Sequence, residues 1–345
     1  MYLRILAAFL VFSLFLGCGT DEPVENTIEP QSSGGCSQET LLESFTDTEG
    51  NTLFIYENGE AYLERNGTCE FALQYFDDDF LSKNYEISGS GAFLKADEGL
   101  VPVKNNFEED FEAEPNFIDL FVSDLDDERL FWTNFTLQGP MAKEVSDYVR
   151  LSQCILSGSC DFLDNRIDIT SDPIDPGNRV ARFEAVSPTV DMVTSKASMT
   201  SILGYFAKGS HIWFEGDYFI ETGMPYSLVD FESSYFEGSP GPRVIITNGK
   251  LAFNNKFGAK LQYETTSGIM VPSGEWFTVK VHLKLSNSEN GILELWQNGE
   301  LVIAATGINL QTANGLQNIL EVGISAIDEA TVLLMDNIKI SDTAF

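Results

Sequence analysis

The 345-residue chain carries 53 acidic against 20 basic side chains, a formal net charge of −33, with two histidines and five cysteines. So acidic a surface repels nucleic acid and anionic lipid, which excludes proteins that bind either one through charge. With 43% hydrophobic and 12% aromatic residues the chain can build a packed core, so disorder is excluded; two histidines rule out a multi-histidine metal centre.

Residues 1–17 place Arg4 ahead of an apolar run from Ile5 to Leu16. As a helix the run is too short to cross ~30 Å of hydrocarbon, and its anatomy is that of an export signal. Phe15-Leu16-Gly17-Cys18 resembles the lipobox of bacterial lipoproteins, although Phe15 stands where an aliphatic residue is usual. The resemblance implies cleavage before Cys18 and lipidation of its sulfur. Asp21-Glu22 resembles the acidic export signal of Bacteroidota surface lipoproteins, which implies an outer-membrane anchor facing the cell exterior. Residues 18–35, rich in Pro, Ser, Gly and acids, read as a flexible tether.

Residues 36–130 are expected to form a small β-rich region of no recognisable type. Asn58-Gly59 between strand-like runs is a hairpin signal, because both turn positions need positive φ. From Glu108 to Glu128 there are ten acids and no base, interspersed with Phe111, Phe117, Ile118, Leu120 and Phe121. That run is read as a solvated face, since its spacing does not match the EF-hand loop. Once Cys18 is assigned to lipid, Cys36, Cys69, Cys154 and Cys160 form an even set in an oxidising compartment. Of the three pairings, the expected one closes a small loop between Cys154 and Cys160 and ties Cys36 to Cys69.

One short helix is predicted, with Pro140 at its first position and Met141, Val145, Tyr148 and Val149 at helical spacing up to about Ser152. Strands are predicted at 180–185, 211–220, 243–247, 250–253, 276–285, 292–297, 300–305 and 331–340, with Asn248-Gly249 and Asn298-Gly299 as hairpin turns. Many short strands without interleaved helices specify an all-β sandwich or barrel over residues 131–345.

Several of these stretches carry a resemblance. Asp175-Pro176-Gly177-Asn178-Arg179-Val180 leads into Arg182-Phe183-Glu184, Gly274-Glu275-Trp276 opens a strand, and Asn290-Gly291 begins the hairpin ending in Trp296-Gln297-Asn298-Gly299. With the closing Met335-Asp336-Asn337-Ile338-Lys339-Ile340, this order resembles the concanavalin A-like jelly rolls of the heparin-lyase-I-like and alginate-lyase-like branch. The resemblance implies a jelly-roll β-sandwich and a polysaccharide partner. Alginate lyases of this fold resemble one another in R-x-E-L-R, Q-I-H and Y-x-K-x-G-x-Y-x-Q. Here the first is half present at Arg182-Phe183-Glu184, and neither His211 nor His282 has the preceding glutamine. The third is echoed only by Lys256, Gly258 and Gln262, without its tyrosines. Jelly rolls of this kind often hold a structural calcium ion, but no motif places one, and no metal site or other cofactor is expected.

The most informative strand begins at His211. Its odd positions are His211, Trp213, Glu215 and Asp217, while its even positions, Ile212, Phe214, Gly216, Tyr218 and Ile220, read as core. The odd face suits stacking on sugar rings and hydrogen-bonding to hydroxyls. The expectation is therefore a monomeric surface lipoprotein that binds a polysaccharide at His211, Trp213, Glu215 and Asp217 without catalysis. The alternative is a lyase cleaving a uronic-acid glycan by β-elimination, with His211 acting beside Tyr218 or Tyr205. A third reading is an adhesion module with a protein partner.

Overall fold

The computed structural model describes Cys36, the strand backbones between 41 and 103, residues 106–113 and 116–121, and residues 132–345 apart from 234–240, 258–261 and 312–316. Side chains 202–205, Tyr205 among them, are outside the description, as are Cys18, the tether and the Asn58-Gly59 turn. Residues Cys36–Phe345 form one unit. Among the described residues, no helix is long and apolar enough to cross a membrane.

The small β-rich region holds two antiparallel sheets. One contains β1 (Leu41–Thr46), β2 (Thr52–Tyr56), β3 (Glu60–Arg65) and β4 (Thr68–Gln74); the other contains β5 (Tyr85–Ser88), β6 (Gly91–Ala96) and β7 (Gly99–Val103). The Cys36–Cys69 disulfide ties the chain ahead of β1 to β4.

Two larger antiparallel sheets form the jelly-roll sandwich. In chain order its elements are β8 (Phe107–Glu109), β9 (Asn134–Gln138), helix α1 (Val145–Leu156), β10 (Arg166–Ser171), β11 (Arg179–Ala185), β12 (Lys196–Phe206), β13 (His211–Thr222), β14 (Ser227–Glu232), β15 (Pro242–Thr247), β16 (Lys250–Asn255), β17 (Gln262–Glu264), β18 (Trp276–Lys284), β19 (Ile292–Gln297), β20 (Glu300–Thr306), β21 (Gln317–Ile324) and β22 (Thr331–Ser341). The eight-stranded sheet runs β10-β11-β22-β13-β18-β19-β20, with β8 also paired to β22; the seven-stranded sheet runs β17-β16-β15-β14-β21-β12-β9.

Alternation along each strand sends one set of side chains between the sheets. Ile212, Phe214, Val281, Leu283 and Leu295 from the eight-stranded sheet meet Met199, Phe231, Val244, Leu320 and Val322 from the other, all buried. Phe214 and Phe231 touch edge to face across the core, with ring centroids 5.8 Å apart. Gly323 has φ 101°, and a Cβ there would sit 2.6 Å from the Phe183 ring, so the close approach of β21 to β11 requires glycine.

Both predicted hairpins in the sandwich form, with Asn248-Gly249 and Asn298-Gly299 all at positive φ. The helix differs from expectation. Pro140 lies in a turn whose ends, Gly139 and Ala142, exchange backbone hydrogen bonds; α1 starts five residues later and runs on to Leu156. The Cys154–Cys160 disulfide pins its C-terminal end. Within the acidic run, Phe111, Phe117 and Leu120 are core residues. The sandwich thus draws on chain ahead of residue 131.

Candidate active site

The outward positions of the seven-stranded sheet carry an unusual density of charge. Registry lines up Arg243 of β15, Asp230 of β14, Glu321 of β21 and Thr200 of β12 in one row across four strands. Two positions beyond Asp230 on the same face is Glu232, and Lys256 follows directly after β16. Alternation puts these groups opposite the core, because the intervening Phe231 and Leu320 point inward and are fully buried.

Asp230, Glu232 and Glu321 are themselves buried, and their carboxylate oxygens lie within 4.8 Å of one another. Three like charges this close are held by cations. The Lys256 ammonium donates to Glu232 and lies 3.0 Å from an Asp230 oxygen. Arg243 reaches Asp230 at 4.0 Å and Lys196 reaches Glu321 at 3.9 Å. Hydroxyls complete the set: Ser227 donates to Asp230, and Ser198 donates to Glu321 at 2.6 Å. Asp230, Glu232 and Glu321 are spaced to share a cation; the Lys256 ammonium sits against Asp230 and Glu232, while Glu321 pairs with Lys196.

Burial pushes the Glu232 carboxyl up to about 7, with Lys256 opposing and the Glu321 and Asp230 charges adding to the rise. Asp230 is equally buried, yet Lys256, Arg243 and the Ser227 hydroxyl overcome that penalty and hold it below the usual carboxylate range. Burial works against the charged form of Lys256, but Asp230, Glu232 and Glu321 outweigh it and raise its affinity for the proton. Lys196 is raised chiefly by Glu321. Tyr148 of α1 is raised by burial and senses Lys196 and Glu321. The cluster therefore holds Lys196 and Lys256 firmly charged and one carboxyl, Glu232, that exchanges its proton near neutrality.

The residues singled out from sequence lie on the other sheet. His211, Trp213, Glu215 and Asp217 share the outer face of β13, as alternation requires. They are already engaged with one another and with neighbouring strands. His211 Nδ1 and His282 Nε2 are 2.8 Å apart, and His282 Nδ1 is 2.6 Å from Glu294. The Trp213 ring stacks on His282, centroids 3.9 Å apart. Glu215 is 3.8 Å from Lys280, while Asp217 accepts from Thr278 at 2.5 Å and Asn337 at 3.0 Å.

The pairing of His211 with Tyr218 is corrected. Tyr218 is an even position, wholly buried between the sheets, so the two side chains leave opposite faces of one strand. Burial also pushes its phenol well above the ordinary value, which removes it from proton transfer near neutrality. The half-motif Arg182-Phe183-Glu184 lies in the eight-stranded sheet too, where Arg182 pairs with Glu184 and Glu221. Of the sequence signals, only the lysine of the third-motif echo, Lys256, falls in the charged cluster. Its partners Asp230, Glu232 and Glu321 were in stretches not read as strands.

The charged cluster gathers titratable groups on one outer sheet face of the jelly roll. The sequence pattern of the polysaccharide lyase family matches residues 157–339. That span runs from the end of α1 into β22, and the chain belongs to this family. Similar solved structures include an endo-β-1,4-glucuronan lyase from the fungus Trichoderma reesei, at TM-score 0.44 and 10% identity over 61% of this chain and 96% of that one. The cellulose-induced protein Cip1 has TM-score 0.43 and 11% identity over 69% and 97%. A family 7 alginate lyase in complex with substrate has TM-score 0.42 and 9% identity over 62% and 94%. No curated protein matches the chain. Family membership supports the elimination alternative over the non-catalytic binding expected from sequence.

Proposed function

We propose that the protein is a polysaccharide lyase that cleaves a uronic-acid-containing glycan by β-elimination at the charged cluster, exported and held at the outer membrane through Cys18. The observation that carries the site is that Lys196, Arg243 and Lys256 gather on one sheet face of a chain with only 20 basic residues. Elimination requires cations to neutralise the sugar carboxylate, which acidifies the adjacent C5–H, and a base to remove that proton. Lys256 and its cationic neighbours meet the first need. Glu232, at about 7, meets the second, because it is available as a carboxylate at neutral pH and is basic enough to hold the proton. The C5–H bond breaks toward Glu232, a C4–C5 double bond forms, and the C4–O bond breaks. Glu232 then returns the proton to the leaving oxygen.

Incubation with a panel of uronic polymers, followed by the ultraviolet absorbance of the unsaturated product, tests the reaction directly. Glu232→Gln keeps the shape and removes the base, and should lower kcat by about 10²–10⁴-fold while glycan retention in affinity gels persists. No product from any uronate polymer would retire the lyase reading. Activity unaltered in Glu232→Gln but lost in His211→Asn would move the chemistry to the eight-stranded sheet.

A further inference from the structure

We propose that Lys256 is a carboxylate sensor: the acid group of the bound sugar displaces Glu232 from its ammonium, and that displacement frees Glu232 to act. The inference rests on the lyase reading and adds how an acidic sugar switches on the base.

The three carboxylates of the cluster are not equally tied down. Asp230 has Ser227 and Arg243 besides Lys256, and Glu321 has Ser198 and Lys196. Among the described contacts, Lys256 is the one hydrogen-bonding partner of Glu232. An incoming carboxylate that needs the ammonium will therefore take it from Glu232, the ligand with least to hold it. The Lys256 side chain retains 20% exposure against 10% for Glu232 and 2% for Asp230, so the ammonium is more open than the carboxylates it holds.

Displacement changes the chemistry of Glu232 in a definite direction. Its burial and the charges of Asp230 and Glu321 favour the protonated form, and Lys256 opposes them. With Lys256 engaged by the sugar, that opposition is lost and Glu232 becomes the stronger base, acting in the complexes that keep it ionised and therefore most effectively above neutrality. Lys196 and Arg243 remain with Glu321 and Asp230 and do not replace it. A neutral sugar brings no carboxylate, so it leaves Glu232 paired. The cluster then discriminates by turnover as well as by binding, using an interaction that only the acidic substrate can make.

Two measurements on the unmodified protein decide this. The pH dependence of kcat/KM reports the free enzyme, and that of kcat reports the substrate complex. The acid-limb pKa should be higher in kcat than in kcat/KM by about one to three units, the effect of one nearby opposite charge. Calorimetry with the reaction's own oligouronide product, in buffers of different ionisation heat, should show proton uptake on binding slightly above neutrality. Glu232→Gln should bind the product without that uptake. Equal pKa values in both profiles, together with no proton exchange, would overturn the inference while leaving the lyase reading in place. Failure to cleave any uronate polymer is the separate result that removes the reading beneath it.

Discussion

At the scale of single residues, both histidines of the chain belong to one hydrogen-bonded line. With Glu294 accepting from His282 Nδ1–H, His282 Nε2 must accept from His211 Nδ1–H, which leaves His211 Nε2 without a proton. His211 is held below its ordinary value of 6.5 by burial first, then by His282 and Lys284. A depressed pKa means that the fold favours the neutral ring. Its contribution to stability is therefore present above the unfolded-state value and is lost as pH falls through the folded one. Denaturation midpoints should fall on acidification from about 7 to about 5, the histidine range, and His211→Asn should flatten that slope. Because Trp213 stacks on His282 and His282 on His211, charging His211 should also quench the Trp213 emission over the same range. An acid slope and a fluorescence titration unchanged in His211→Asn would show that His211 is not the group responsible.

Whole elements explain both what the sequence disclosed and what it hid. Strands β13, β18 and β19 were legible because they alternate between a buried and a half-exposed face. Strand β14 reads SLVDFE with every residue buried, since its outward acids are covered by the cations they attract. An element apolar on one side and ion-paired on the other has no exposed face to set the period. The cluster was therefore invisible in sequence, except through Lys256. The glycine beneath Phe183 was hidden for a related reason, because only packing discloses it. Gly323→Ala places a methyl against that ring at positive φ and should destabilise by about 1–3 kcal/mol, measured by urea denaturation. Phe183→Leu in the same chain should recover part of the loss. If the two substitutions simply add, the contact is not what fixes the glycine.

For the molecule as a whole, charge and site pull in opposite directions. The chain carries −33, so an acidic glycan approaching from a distance meets repulsion that slows encounter. Close to the cluster it meets Lys196, Arg243 and Lys256, partly buried and so less screened by salt. Added salt weakens the long-range repulsion first, because the Debye length falls from about 30 Å at 0.01 M to about 8 Å at 0.15 M. For a polyanionic substrate, kcat/KM should therefore rise over that interval, with the gain in KM and kcat nearly constant. A basic cleft steering the same polymer would show the opposite trend, losing affinity as salt increases. A steady fall in kcat/KM from the lowest salt upward would mean that the cluster's field dominates at long range, and that the acidic surface does not govern approach.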